Sequence, residues 1–97
     1  MNTINYAANI LRDWGVSENT VNTLVASQLD LDQAKHIIAI EECLQLLYPD
    51  LNAKRQFLKT ASKSVFFHGR KPLDVITSGQ LSEVEEAHQI IRSMLCI

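Results

Sequence analysis

The sequence contains few residues of the kinds that cross-link a chain or anchor it in a membrane. Among its 97 residues there are only two cysteines, Cys43 and Cys96, and Cys43 lies in an apolar helical pattern. This usage predicts buried free thiols in a reducing compartment, not a disulfide framework. No charge-free stretch is long enough to cross a bilayer, and the N-terminus lacks the basic flank and apolar run of a secretory signal. We therefore expect a cytoplasmic protein with no membrane partner.

The sequence also lacks a catalytic or metal-binding pattern. Glu85 and His88 have the Glu-x-x-His spacing of carboxylate-bridged metal bundles, but such sites need two of these units and the chain has one. His36 and Cys43 lie two turns apart on one predicted helix, where a core pair is favoured over a nucleophile with its base. We therefore expect no enzymatic activity, no metal and no cofactor.

What the sequence does contain is helical periodicity. Its hydrophobic content is 46%, and a chain of this length can bury a single core as one domain. Apolar residues recur at steps of three and four, and no strand pattern or internal repeat is visible. This predicts a compact all-α domain of five to six helices, with the broadest apolar face on the third. The predicted helices are 4–14, 18–27, 31–47, 51–60, 72–78 and 82–95.

Capping residues predict where several of these helices begin. Ser17 precedes the second helix, Asp30 or Asp32 starts the third, and Asp50 precedes the fourth. Ser82 has the spacing of a capping box with Glu85, three residues later, and is predicted to start the last helix.

A short apolar helix, 72–78, is predicted between two glycines. Pro72 suits its first position, and Gly79 supplies the left-handed residue on which such a helix ends. We interpret this segment as a fixed structural corner, carried by Gly69, Pro72, Leu73 and Gly79.

The positive charge is concentrated in one segment. Six of the nine lysines and arginines lie in residues 51–73, which contain no acid. Lys54, Arg55 and Lys59 fall on one face of the predicted fourth helix and could follow a nucleic-acid backbone, although a solvated face is favoured. Residues 1–28 have the spacing of a helix-turn-helix, with Gly15 in the turn. Its second helix has no lysine or arginine to bind phosphate, which favours a scaffold over a DNA reader.

Three segments carry a resemblance to a known family. They are 44–50 (L-Q-L-L-Y-P-D), 56–59 (Q-F-L-K) and 67–79 (F-H-G-R-K-P-L-D-V-I-T-S-G). In this order they resemble the toxin-binding domain of the Xre/MbcA/ParS family of bacterial antitoxins, and the third segment is the family's most specific stretch. The resemblance covers about seventy residues, from residue 29 to the C-terminus. Fuller family members carry a complete DNA-binding helix-turn-helix domain before this region, whereas here only the hairpin 1–28 precedes the domain 29–97.

The resemblance implies an antitoxin-like protein that binds and neutralises a partner toxin. In the family that toxin is typically a RES-domain enzyme that destroys NAD, and family members tend to form homodimers. We expect the partner to contact the end of the last helix, although Ile91 and Leu95 could instead belong to the core. The expected partner-binding residues are Arg70, Lys71, Ile91, Arg92, Leu95 and Ile97. The alternative function is a DNA-binding transcriptional regulator or autorepressor that uses Lys54, Arg55 and Lys59.

Overall fold

A computed structural model describes residues 3–60 and 70–95, and these residues form six helices and no strand. The prediction of an all-α domain with five to six helices is therefore confirmed. None of the helices in the described ranges is long and apolar enough to cross a membrane. The helices are α1 Thr3–Asp13, α2 Glu18–Thr23, which continues into a π-helical turn at Leu24–Gln28, α3 Leu31–Leu47, α4 Leu51–Lys59, α5 Pro72–Ile76 and α6 Leu81–Ser93.

Helix α3 is the centre of the fold, because both α1 and α6 pack against it. Its Ile37, Ile40 and Leu44 are buried together with Leu11 of α1 and Ile91 of α6. One continuous hydrophobic core therefore joins the hairpin 1–28 to the rest of the chain, and the hairpin does not pack as a separate unit.

Two of the predicted caps form the expected hydrogen bonds. The Ser17 hydroxyl accepts from the backbone N–H of Thr20 at 3.3 Å, at the start of α2. At the start of α3 the carboxylate of Asp30, not that of Asp32, accepts from the N–H of Gln33 at 2.8 Å. Asp50 occupies the N-cap position of α4 but makes no side-chain capping bond there.

The capping box predicted at Ser82 is wrong. Helix α6 begins at Leu81, with Gln80 as its N-cap. Gln80 already has extended dihedrals, φ −108° and ψ 123°, and its carbonyl accepts from the N–H groups of Glu83 and Val84, each at 3.1 Å. Because the chain turns at Gly79, α6 begins at Leu81, and Ser82 already lies inside the helix.

Gly79 has a φ of +84°, which confirms the predicted left-handed stop after the short helix. That helix is shorter than predicted, because α5 ends at Ile76 and Thr77 has already left helical geometry with ψ 13°. Helix α6 likewise ends at Ser93, and Met94 and Leu95 form a turn after it.

Candidate partner-binding surface

The corner around α5 is fixed to the core on two sides. Pro72, Val75 and Ile76 are buried, so the short helix presents most of its apolar side chains inward. The side-chain amide of Gln33, on α3, donates to the carbonyl of Gly79 at 3.2 Å, and Gln33 itself is only 5% exposed. The turn at Gly79 is thus held against α3, and this fixes where α6 begins.

Arg70 links the segment before α5 to α6. Its guanidinium donates to both carboxylate oxygens of Glu83, at 3.0 and 3.4 Å. This hydrogen bond is the main cause that holds the pKa of Glu83 below its usual range, with a smaller contribution from Ser78, and it raises the pKa of Arg70. The positive charge of Arg70 is therefore paired with a carboxylate of the same chain, although the pair lies at the surface.

Lys71 is exposed beside this pair. Its backbone occupies the N-cap position of α5, where its carbonyl accepts from the N–H of Asp74 at 3.0 Å. The side chain of Lys71 lies at the surface, as the prediction of a partner-binding residue requires.

The predicted partner contacts on α6 separate into buried and accessible residues. Ile91 is 0% exposed and belongs to the core, so in this fold it cannot touch a partner. The reason is its register, since Ile91 continues the buried row of Val84 and Ala87. Arg92 is exposed and Leu95 is half-buried, so both remain candidates.

Met94, which the helical periodicity assigns to the buried face, is instead 40% exposed between Arg92 and Leu95, because α6 ends at Ser93. Ile97 and Gly69, both named in the sequence analysis, lie outside the described residues. The accessible set that the structure describes is therefore Lys71, Arg92, Met94 and Leu95, with Arg70 paired beside Lys71. Arg70 and Lys71 lie beside the first turn of α6, where Arg70 contacts Glu83, whereas Arg92, Met94 and Leu95 lie at the other end of that helix. We call these five residues together the α5–α6 surface.

The basic face predicted on α4 does not form as expected. Lys54 is only 4% exposed, because its ammonium is drawn inward to α3, where it donates to Glu41 at 2.5 Å and to Gln45 at 3.0 Å. Its charge is neutralised within the fold and cannot contact a DNA backbone.

The other two cations of α4 point toward the end of α1. Arg55 donates from Nε to the carbonyl of Asp13, the last residue of α1, at 2.7 Å. This bond satisfies one of the carbonyls that a helix C-terminus leaves unpaired. Lys59 is an exposed residue, and its ammonium lies so near Gly15 that a Cβ added to Gly15 would be 2.6 Å from it. Of the three residues, only Lys59 presents an exposed charge free of these inward bonds.

A polar network that joins three helices was not predicted. Glu41 accepts from the indole N–H of Trp14 at 2.6 Å and also from Lys54, so it links α1, α3 and α4. One signal was present in the sequence, because Glu41 lies four residues after Ile37 and three before Leu44, on the apolar face of α3. A carboxylate at such a position requires buried partners.

A contact of His36 with a histidine of another helix was not predicted. Nδ1 of His36 lies 2.9 Å from Nδ1 of His88 on α6. In the described part of the chain, no group of three or more histidine, cysteine, aspartate or glutamate side chains is placed to hold a metal ion.

Together, these observations define a small all-α domain with accessible basic side chains beside the start of α6 and accessible basic and apolar side chains at its end. Comparison of the chain with protein-family models, with curated proteins and with solved structures gives no match.

Proposed function

We propose that this chain is an antitoxin-like protein whose α5–α6 surface binds and neutralises a partner toxin. The toxin class that the motif resemblance implies is a RES-domain enzyme that degrades NAD. The observation that carries the proposal is the corner itself: the most specific part of the resemblance falls on α5 and on the Gly79 turn, which has a φ of +84°.

The chemistry of the α5–α6 surface suits a protein partner. At the end of α6, Arg92 offers exposed positive charge, and Met94 and Leu95 next to it offer accessible apolar area. Lys71 offers a second exposed positive charge, beside the first turn of α6. Arginine and methionine are enriched in protein interfaces, where apolar contact supplies affinity and charge supplies orientation. Methionine can also adjust its shape to a partner pocket.

The Arg70–Glu83 pair supports this role indirectly. Because the pair joins the segment before α5 to the first turn of α6, it keeps Lys71 at a constant position relative to that helix. A surface whose parts are already fixed loses less conformational entropy when it binds.

The alternative function, a DNA-binding regulator, gains no support from the fold. Of its three proposed DNA-binding residues, Lys54 is buried and Arg55 donates to the carbonyl of Asp13, so neither side chain is free to contact a phosphate. Helix α2 contains no lysine or arginine. A mobility shift on the chain's own promoter that weakens with added salt would favour this alternative.

We further propose that the protein acts in the cytoplasm as a homodimer, following the habit of the family it resembles. Leu46 is 75% exposed and, with Tyr6, lines a shallow hollow between α1 and α3. Leu46 supplies exposed apolar area of the kind that a second copy would cover.

The proposed function is tested by co-expression of the tagged chain with the product of the adjacent gene. We expect the two proteins to purify together and the chain to relieve growth arrest caused by the other product. Absence of both a complex and relief of toxicity would reject the proposal.

A further inference from the structure

Two histidines from different helices face each other at the contact between α3 and α6. Nδ1 of His36 lies 2.9 Å from Nδ1 of His88, and the two ring centroids are 5.2 Å apart at an interplanar angle of 64°. Neither histidine belongs to the α5–α6 surface, and the contact needs no partner protein.

A bond between two imidazole nitrogens needs a hydrogen on one and a lone pair on the other. The carboxylate of Glu85 lies 3.8 Å from Nε2 of His36 and attracts the hydrogen of that ring to Nε2. In the neutral pair Nδ1 of His36 is then the acceptor, and Nδ1–H of His88 donates to it. The geometry therefore calls for different tautomers in the two rings.

The hydrogen bond between the two rings can persist when one ring is charged but not when both are. With one ring charged, the other can still offer a lone pair, and the bond becomes charge-assisted. With both rings charged, each Nδ1 carries a hydrogen, so the bond is lost and two like charges face each other between the helices.

We propose that the hydrogen bond between His36 and His88 is a pH-sensitive link between α3 and α6, which we call the clasp. It forms at neutral pH and is lost in mildly acidic solution, when both rings are charged. In the described residues, the charged groups that act on the pair are Glu85, which faces His36, and Arg92, which lies one turn from His88 on α6. Arg92 adds positive charge near His88 and so disfavours a second proton.

The direction of the pH dependence follows from the shift in the pKa of His88. Burial lowers the pKa of His88, and the charges of His36 and Arg92 lower it further. The folded chain therefore binds this proton less readily than the unfolded chain does. The stabilisation is complete above the unfolded pKa, about 6.5, and is lost as the pH falls through the lower pKa of the folded state.

The first test measures urea unfolding of the full chain at pH 7.5 and pH 5.5, with EDTA present to remove trace metal. The variant is His88→Gln, which keeps a side chain able to form hydrogen bonds but cannot be charged. Between the two pH values we expect the unfolding constant of the wild type to rise about fivefold more than that of His88→Gln. Two like charges about 4 Å apart produce an effect of this size even in water.

If the wild type and His88→Gln change in parallel with pH, the clasp does not exist.

The second test needs no variant. Long-range ¹⁵N spectra of the folded wild type at pH 7.5 should show His36 as the Nε2–H tautomer and His88 as the Nδ1–H tautomer. Two rings in the Nε2–H form would overturn the proposal, because neither Nδ1 would then carry the shared hydrogen.

Discussion

At the scale of single residues, Lys54 departs most from the usual behaviour of its residue type, because it is buried. Lysine is rarely buried unless it is paired, and here Glu41 and Gln45 receive its ammonium between α3 and α4. Since Glu41 also holds Trp14, the network connects α1 to the two helices that follow the hairpin.

We predict that Lys54→Met lowers the free energy of unfolding by about 1–3 kcal/mol. Methionine keeps the apolar stem but leaves the carboxylate of Glu41 without its cation, and an uncompensated charge of this kind is costly. Glu41 is partly accessible to water, which limits the loss. Urea denaturation measures the change.

The control for this prediction is Lys59→Met, at an exposed lysine of the same helix, which should change stability by no more than about 0.5 kcal/mol. Equal losses in the two variants would show that the buried ion pair contributes nothing specific.

A second residue-scale prediction concerns Gly79, whose φ of +84° disfavours any β-branched side chain. Gly79→Val should cost about 1–3 kcal/mol, measured as a lower melting temperature. Asparagine tolerates this backbone region better, so Gly79→Asn should lose clearly less. A melting temperature unchanged in Gly79→Val would contradict the assigned conformation.

At the scale of helices, the sequence predicts that a helix is present more accurately than it predicts the residues at which the helix begins and ends. The helical periods of α1, α3 and α6 were clear because each buries one broad apolar face. The sequence predicts the start of α6 at the wrong residue. Gln80, the actual N-cap, makes no side-chain capping bond and so is not recognisable in the sequence, whereas Ser82 is a typical capping residue that does not cap the helix. The π-helical turn after α2 had no local signal either.

The candidate surface was only partly predictable for a related reason. Periodicity places Ile91 on the buried row of α6, but it cannot show whether that row faces the core or a partner. Contacts between helices, such as Glu41 with Lys54 and His36 with His88, depend on packing that spacing along one helix does not specify.

The end of α6 carries a prediction that separates partner binding from folding. Met94 is exposed and Leu95 is half-buried in the turn that follows the helix. Deletion of residues 95–97 should change the free energy of unfolding by less than about 1 kcal/mol, because terminal residues contribute little unless they are tied down. The same deletion should weaken the proposed complex with the adjacent gene's product at least about tenfold, or about 1.4 kcal/mol. A loss of several kcal/mol in stability would instead assign this end to the core.

At the scale of the whole molecule, the chain has a radius of gyration of 12.4 Å and leaves several large apolar side chains exposed. We predict that sedimentation at tens of micromolar shows a dimer, and that Leu46→Asp shifts it to the monomer because a charge would face the second copy. Leu51→Asp, at a partly exposed leucine of α4, serves as the control and should stay dimeric. A wild-type species of 10.9 kDa would contradict the proposed dimer.

The α5–α6 surface and the hollow beside Leu46 lie on different helices, so partner binding and self-association can be disrupted separately. A variant that remains dimeric but no longer binds the toxin would therefore place the toxin contact on the α5–α6 surface. Arg92→Glu is the most direct variant, because it reverses an exposed charge there without touching the core.

The central claim, that the chain neutralises an NAD-degrading toxin, is best tested by following NAD breakdown by the proposed toxin, the purified product of the adjacent gene, as the chain is added. The account predicts inhibition that is complete at equimolar chain, at least about tenfold weaker inhibition by Arg92→Glu, and unchanged inhibition by Lys35→Glu, the same charge reversal at an exposed lysine of α3. NAD breakdown that continues at its full rate in a large excess of the wild-type chain would contradict it.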